Sequence, residues 1–342
     1  MSGSPRLGFF TRLLDEGGPG ERYRLATEQI RQAERFGYDS AWIAQHHFDG
    51  DEGGLPSPLV FLAHVAAATR GIRLGTGILT LALEQPLRAA EDAAVLDLLC
   101  GGRLDLGLGT GGSAASFAAF GYESGERGEI YGRHLETFRR ALRGEALEGG
   151  AVLYPPAGTL AGRLWQATFS VAGGERAGRA GDGLMLSRTQ PRPPGQPGLS
   201  LAEIQDPIID AYLAALPHGA EPRILASRSA FVTDRREEAL RLAEPGLRLW
   251  AARARARGEG ELGTDAATIA AASDLHIGTP DEVAESLARD ATLRRASEVT
   301  IQIHSADPPH EAVMRSIELF ATRVAPQLGL GRRSPTQPVA AA

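Results

Sequence analysis

At 342 residues the chain exceeds one average domain but suits one barrel of eight strand–helix units, and 43% hydrophobic with 23% charged residues is enough for a large core. A net charge of −6, with the 36 basic residues scattered along the chain, argues against a polyanion-binding role. All 36 are arginine, which excludes lysine Schiff-base and P-loop chemistry, and the single cysteine, Cys100, excludes an internal disulfide and a cysteine-based zinc site.

Short apolar runs alternate with helical patterns from the start, the rhythm of parallel strands with helical crossovers. Leu7–Phe10 reads as strand one, and Tyr23, Ala26, Ile30 and Ala33 place helix one over about 21–36, stopped by Gly37. Strand two is Ser40–Ala44, running into Gln45-His46-His47-Phe48, and helix two covers 59–69. Strand three is Ile72–Leu79, helix three starts after Pro86, and strand four is Arg103–Gly109. A helix over 127–143 precedes a stretch, 144–168, that reads as an irregular insertion. Phe169–Ala172 is expected as strand five and Leu184–Ser187 as strand six. A Pro-rich loop, a helix at 201–216 and strand seven at 224–232 follow. Pro245 should kink or split the helix over 235–257, and 258–277 reads as a surface excursion. Ser297–Ile303 is strand eight, closed by a helix ending near Val324.

The expected fold class is therefore α/β: a single (β/α)8 TIM barrel over 1–328, with insertions after strand four and before strand eight. The polar residues 329–342 read as a disordered tail. The N-terminus lacks a signal-type apolar segment and no run of about 18 apolar residues occurs, so a soluble cytoplasmic protein is expected.

In such a barrel, ligands meet the C-terminal ends of the strands. His46-His47 ends strand two, where one ring can face the mouth as an acid or base near neutral pH, although a histidine pair bonded to loops is the commoner meaning. Gly107-Leu108-Gly109-Thr110-Gly111-Gly112 is a literal G-x-G-x-x-G after a strand, but no helix opens at once and no acid-ended second strand follows. These glycines read better as making room at the mouth for a flat ring. Gly173-Gly174-Glu175-Arg176 could offer amides and charge to an anion, or form an ordinary tight turn. Ser187-Arg188 follows strand six, where Arg188 could bind phosphate, substrate or a loop carboxylate. Strand eight alternates Val299, Ile301 and Ile303 with Thr300 and Gln302, so one set must point inward, and His304 lies just past it.

Three segments, in order and at family spacing, resemble the bacterial luciferase-like flavin-dependent monooxygenases: Trp42–Phe48, Ile72–Leu79 continuing through Pro86–Asp92 to Leu96-Asp97, and Gly101–Gly109. Asp182–Ser187 and Gly278–Glu282 match more loosely. The resemblance implies a barrel that uses reduced FMN, supplied by a separate flavin reductase, and O2 to oxygenate a small organic substrate, and it suggests a homodimer. By resemblance His46 corresponds to the catalytic histidine. Thr76, Gly77, Ile78, Gly109 and Thr110 fall at the flavin site, with Gly77–Ile78 where a non-prolyl cis peptide supports the ring. Gly173, Gly174, Glu175 and Arg176 fall where the phosphate binds, with Ser187 and Arg188 nearby. Glu91 and Asp92 are expected to pair with arginines at the barrel wall.

Two departures stand out. Luciferases proper carry a phosphate-binding Arg near Thr110, so Arg176 or Arg188 would have to substitute, and Gln45 replaces the usual Glu beside the histidine. Light emission is not implied. A deazaflavin-dependent dehydrogenase, a non-catalytic flavin-binding protein and an NAD enzyme built on the glycine motif are the competing readings.

Overall fold

The computed structural model describes residues 4–303, except 194, 197 and 257–260, and residues 308–331. Its elements, in chain order, are β1 (Arg6–Thr11), α1 (Pro19–Arg35), β2 (Ser40–Ile43), α2 (Pro58–Ala68), β3 (Arg73–Thr80), α3 (Pro86–Leu99), β4 (Leu104–Gly109), α4 (Ala114–Ala119) and α5 (Arg127–Leu142). There follow β5 (Leu164–Ala167), α6 (Val171–Arg179), β6 (Gly183–Leu186), α7 (Leu201–Ala215), β7 (Ile224–Val232), α8 (Arg236–Ala256), α9 (Ala266–Ala272), β8 (Leu275–Gly278), α10 (Pro280–Ala288), β9 (Glu298–Gln302) and α11 (His310–Leu319).

Eight parallel strands close into a ring: β1 to β6 pair in sequence, β6 pairs β7, β7 pairs β9, and β9 returns to β1. β8 lies outside that ring, pairing only with the upper part of β7 at Ser229–Val232. A (β/α)8 barrel is thus what the chain forms.

The ring is filled in layers by inward side chains of alternate residues. At its base Glu298, fully buried, pairs with Arg6 at 2.5 Å and accepts hydrogen bonds from Ser40 Oγ at 2.5 Å and Trp42 Nε1 at 2.6 Å. Burial pushes its carboxyl pKa up. Above it Trp42 and Trp165 meet edge to face, ring centroids 5.7 Å apart, among Met185 and Leu225, with Phe10, Ile78 and Ala167 on top. Two indoles fit only because their neighbours are glycine: a Cβ on Gly75 would lie 2.2 Å from Trp42, and one on Gly183 2.1 Å from Trp165. The outward faces pack under the helices; Val299, Ile301 and Ile303 belong there, so Thr300 and Gln302 are the inward set.

Three expectations fail locally. Strand five is Leu164–Ala167, inside the stretch read as an insertion, while the apolar Phe169–Ala172 run leads into α6. Ser170 decides this: its side chain accepts from the Gly173 amide at 3.1 Å, an N-cap that starts a helix where apolarity alone suggested a strand. The excursion at 258–277 contains α9 and β8, whereas α8 carries Pro245 inside it without being split. Glu91 and Asp92 do pair with an arginine, but it is Arg88 on the exposed face of α3 rather than a group at the barrel wall. The capping boxes at Ser200/Glu203 and Thr279/Glu282 start α7 and α10 as their sequences require. His304 and most of the 329–342 tail lie outside the described residues.

Candidate active site

The mouth of the ring is assembled from the residues after each strand. Gln45, just past β2, is buried and fastens that end to its neighbours. Its Nε2 donates to Pro56 O at 2.9 Å and to Glu84 Oε1 at 2.7 Å, while its Oε1 accepts from Thr80 N at 2.6 Å. The end of β2 is thereby tied to the end of β3. A glutamate here would face Glu84 directly, which accounts for glutamine at this position.

His46 follows. Its amide bonds Leu55 O at 2.9 Å, and its ring lies against Gly53, whose added Cβ would come within 2.5 Å of Cδ2. Burial, reinforced by the nearby Arg12 cation, lowers its pKa to about 4, against the opposing pull of Glu52 and Asp49. The imidazole is therefore neutral at pH 7 and able to accept a proton. His47 points elsewhere, edge-on to Phe120 with centroids 5.0 Å apart, and its Nε2 is buried without a partner.

β3 and β4 make the next wall. Thr76 Oγ1 donates to Gly107 O at 2.8 Å, and the Gly77–Ile78 peptide is cis. Gly109 is buried under Ile78: an added Cβ would lie 2.5 Å from Ile78 Cδ1. Gly107 faces inward, where a Cβ would meet Thr76 O at 2.1 Å and Met185 Sδ at 2.5 Å. The glycine motif thus serves close approach, and only the six-residue α4 follows it, not a nucleotide-binding helix. Thr110 is half-buried, its hydroxyl 3.3 Å from Gly111 O.

Gly173 and Gly174 sit inside α6 rather than in a turn, because the helix packs closely on α7; a Cβ on Gly174 would lie 2.5 Å from Ile208 O. Glu175 pairs with Arg179. Arg176 Nε donates to Gln166 Oε1 at 2.9 Å, and its guanidinium stands 5.3 Å over the Tyr131 ring. Arg176 is thus joined to the outer wall of β5, in the network that also holds the buried Arg139–Asp182 pair.

Beyond β6, Ser187 Oγ caps its own loop through the Thr189 amide at 3.1 Å. Arg188 reaches across the mouth, where Nε donates to Gln302 Oε1 at 2.6 Å and Nη1 to Ser229 Oγ at 3.1 Å. A cleft of about 690 Å³, counting space open to solvent, opens here between β1, β7, β9 and α8. Arg12, Glu52, Arg188, Trp250 and Arg253 line it. Glu52 pairs with Arg12 at 2.8 Å, and Arg253 at the end of α8 reaches Asp51 at 3.5 Å, so α8 is pinned to the loop after β2. His46 does not line the cleft; it stands one layer behind the Arg12–Glu52 pair. Of the expected residues, His46, Thr76, Gly77, Ile78, Gly109 and Thr110 gather on the β2–β4 side of the mouth. Arg188 and Ser187 lie on the opposite side. Arg12, Glu52, Ser229, Trp250 and Arg253 escaped the sequence reading; only Gln302, through its alternation with apolar neighbours, left a signal. Among the described residues no cluster of metal-ligating side chains occurs.

Residues 7–296 match the family model described as luciferase-like monooxygenase. The chain belongs to that family. A near full-length relative of this luciferase-like protein is the uncharacterized protein y4vJ of Sinorhizobium fredii, 28% identical over 335 residues that cover 90% of this chain and 93% of the relative. Among solved structures, monooxygenase RslO1 from Streptomyces bottropensis superposes with a TM-score of 0.74 at 26% identity, covering 94% of this chain and 99% of that one. Two others share the fold at lower identity. The oxygenating constituent of 3,6-diketocamphane monooxygenase from Pseudomonas putida, in complex with FMN, gives a TM-score of 0.73 at 20% identity, covering 96% and 100%. An F420-dependent secondary alcohol dehydrogenase gives 0.71 at 17%, covering 95% and 99%. The fold is thus shared by an FMN-bound monooxygenase and an F420-dependent dehydrogenase.

Proposed function

We propose that this luciferase-like protein is an FMN-dependent monooxygenase that oxygenates a small organic substrate with reduced flavin and O2. The observation that carries the reading is the match of residues 7–296 to the luciferase-like monooxygenase family model, on a barrel whose β2 runs into Gln45 and His46 at the mouth. Gly77, Ile78 and Gly109, at the neighbouring ends of β3 and β4, are the backbone we assign to the flavin ring. When bound, the flavin would supply the electrons and the oxygen chemistry.

The chain's own residues have the remaining tasks. Gly77, Ile78 and Gly109 hold the ring face, and Thr76 and Gln45 keep β3 registered against β4 and β2 so that this face is fixed. Thr110 and the N-terminal turn of α6, with Arg176 near it, are the groups offered to the phosphate. Neutral His46 takes a proton from the reacting centre at Nδ1 or Nε2 and returns it. The loop after β2 and the end of α8 close over the mouth and exclude water. A separate reductase supplies the reduced flavin.

An F420-dependent hydride transfer is the second reading, favoured by the fold shared with the alcohol dehydrogenase. Anaerobic titration with reduced FMN, oxidised FMN and F420 separates the two: tight binding of reduced FMN followed by O2 uptake supports the proposal, and tight binding of F420 alone refutes it. His46→Ala should retain FMN binding and lose product formation. We also propose a homodimer through α2 and α3, whose outer faces expose Val60, Leu98 and Leu99.

A further inference from the structure

We propose that the cleft between β7, β9 and α8 selects a substrate made of an apolar body and one carboxylate, and that Arg188 is the residue that recognises the acid. The proposal deepens the monooxygenase reading and rests on it for the word substrate, but the site itself is argued from its own residues.

Arg188 is half-buried, and a guanidinium drawn partly out of water normally takes a carboxylate as partner. Arg188 has none among the described residues: its two hydrogen bonds go to the neutral Gln302 and Ser229, and Nη2 is left without one. Those bonds lock the planar group in place on two strands of the barrel, a fork preorganised for a planar anion. The rest of the cleft does not neutralise it. Its lining holds three arginines, Arg12, Arg188 and Arg253, against two acids, Asp51 and Glu52, which leaves one positive charge in excess. Both acids are engaged, Glu52 by Arg12 and Asp51 by Arg253. Burial and the neighbouring Arg12 cation push the Arg188 pKa down to about 9, against the opposing pull of Glu52, so the group stays charged at pH 7.

Beside the charged groups the lining is largely apolar, formed by Leu14, Leu247, Leu249, Trp250 and Leu275, with Ser273 offering one buried hydroxyl without a partner among the described residues. One fixed cation at the end of an apolar slot matches a molecule with an acid at one end.

Benzoate and its neutral counterpart benzamide are the probes, followed by isothermal titration calorimetry on the full-length protein without flavin. Benzoate should bind and benzamide should bind at least tenfold more weakly, the usual scale for a charge-assisted hydrogen bond. Arg188→Met should lose roughly ten- to hundredfold in benzoate affinity while benzamide binding stays the same, and Arg188→Lys should recover part of it. Thermal unfolding of both variants shows whether they fold; if Arg188→Met does not, Arg188→Lys and the benzoate-to-benzamide ratio of the native protein decide. Equal binding of the two probes overturns the proposal. So does competition by inorganic phosphate as strong as benzoate itself, or an Arg188→Met variant whose loss is in FMN affinity instead. Failure of FMN to bind while benzoate discrimination holds would sink the monooxygenase reading and leave the acid site standing.

Discussion

Replacing Gln45 with glutamate restores the residue usual for the luciferase-like family and turns a neutral bridge into a confrontation of carboxylates. Gln45 Nε2 lies 2.7 Å from Glu84 Oε1, so the new oxygen would occupy a position that now donates a hydrogen bond. Two bare charges at that separation repel by roughly 6 kcal/mol at an effective dielectric constant of about 20. Taking up one proton at pH 7 costs only about 3.7 kcal/mol for a carboxyl that ordinarily titrates near 4.3. Protonation is the cheaper escape, and it preserves one hydrogen bond between the pair. About 3.7 kcal/mol is an upper bound on the pH-dependent part, because Glu84 is half-buried and water screens part of the repulsion, while the lost bond to Pro56 O costs about 1 kcal/mol at every pH. The folded variant thus binds a proton that the unfolded chain releases. Its shared proton is held above the ordinary carboxyl pKa, so the variant keeps this part of its stability below about pH 4.3 and loses it as pH rises toward 7. For 342 residues the bound corresponds to a pH-dependent fall in Tm of about 5 °C at pH 7, nearly absent at pH 4.5. Thermal unfolding of both proteins over pH 4.5 to 8 reads this directly, as buffer conditions rather than properties of the chain. A deficit wholly independent of pH would refute the placement of Gln45 against Glu84.

Two glycines of the β4 motif should respond differently to alanine. Gly107→Ala drives Cβ into the Thr76 carbonyl, which cannot move aside, and should cost at least 1–3 kcal/mol by denaturant unfolding, as an order of magnitude for overpacking. Gly109→Ala meets the Ile78 side chain, at 2.5 Å from Cδ1 and 3.3 Å from Cγ1, which can turn aside, so the stability cost should be smaller while FMN affinity drops about tenfold or more in a fluorescence titration. The depressed pKa values of His46 and His276, both about 4 and both caused first by burial, tie stability to pH. Each histidine gains a proton more readily when unfolded, so its contribution is complete above about pH 6.5 and is lost as pH falls toward 4. Tm should decline through that window, and less steeply in His276→Gln; an unchanged slope would count against the buried neutral His276.

How far the sequence disclosed all this depends on the physics behind each feature. Hydrophobic periodicity located the ring because eight buried parallel strands need apolar runs, and Leu7–Phe10, Ile72–Leu79 and Ile224–Val232 lie close to the observed strands. Strand five was misplaced because Leu164-Trp165-Gln166-Ala167 carries a buried polar residue, Gln166, that serves the Arg176 and Asp182 network, and the cap at Ser170 outweighs the apolar run around it. The close approaches at the ends of β3 and β4 were legible through their glycines, whose meaning is local. The acid-binding cleft was not. Arg12, Ser229 and the α8 pair Trp250 and Arg253 come from three distant parts of the chain, and what unites them is a charge balance that only folding creates. Arg188 was singled out by its position after a strand, yet its neutral partners could not be foreseen.

The central claim is that the β2–β4 side of the mouth holds a flavin within reach of His46. A crystal structure of the protein with bound FMN tests it most directly. The isoalloxazine should lie on the Gly77–Ile78 peptide and Gly109, with its reactive edge turned toward His46. Flavin seated against Arg188 and Trp250 instead, or crystals that take up F420 and not FMN, would contradict the account.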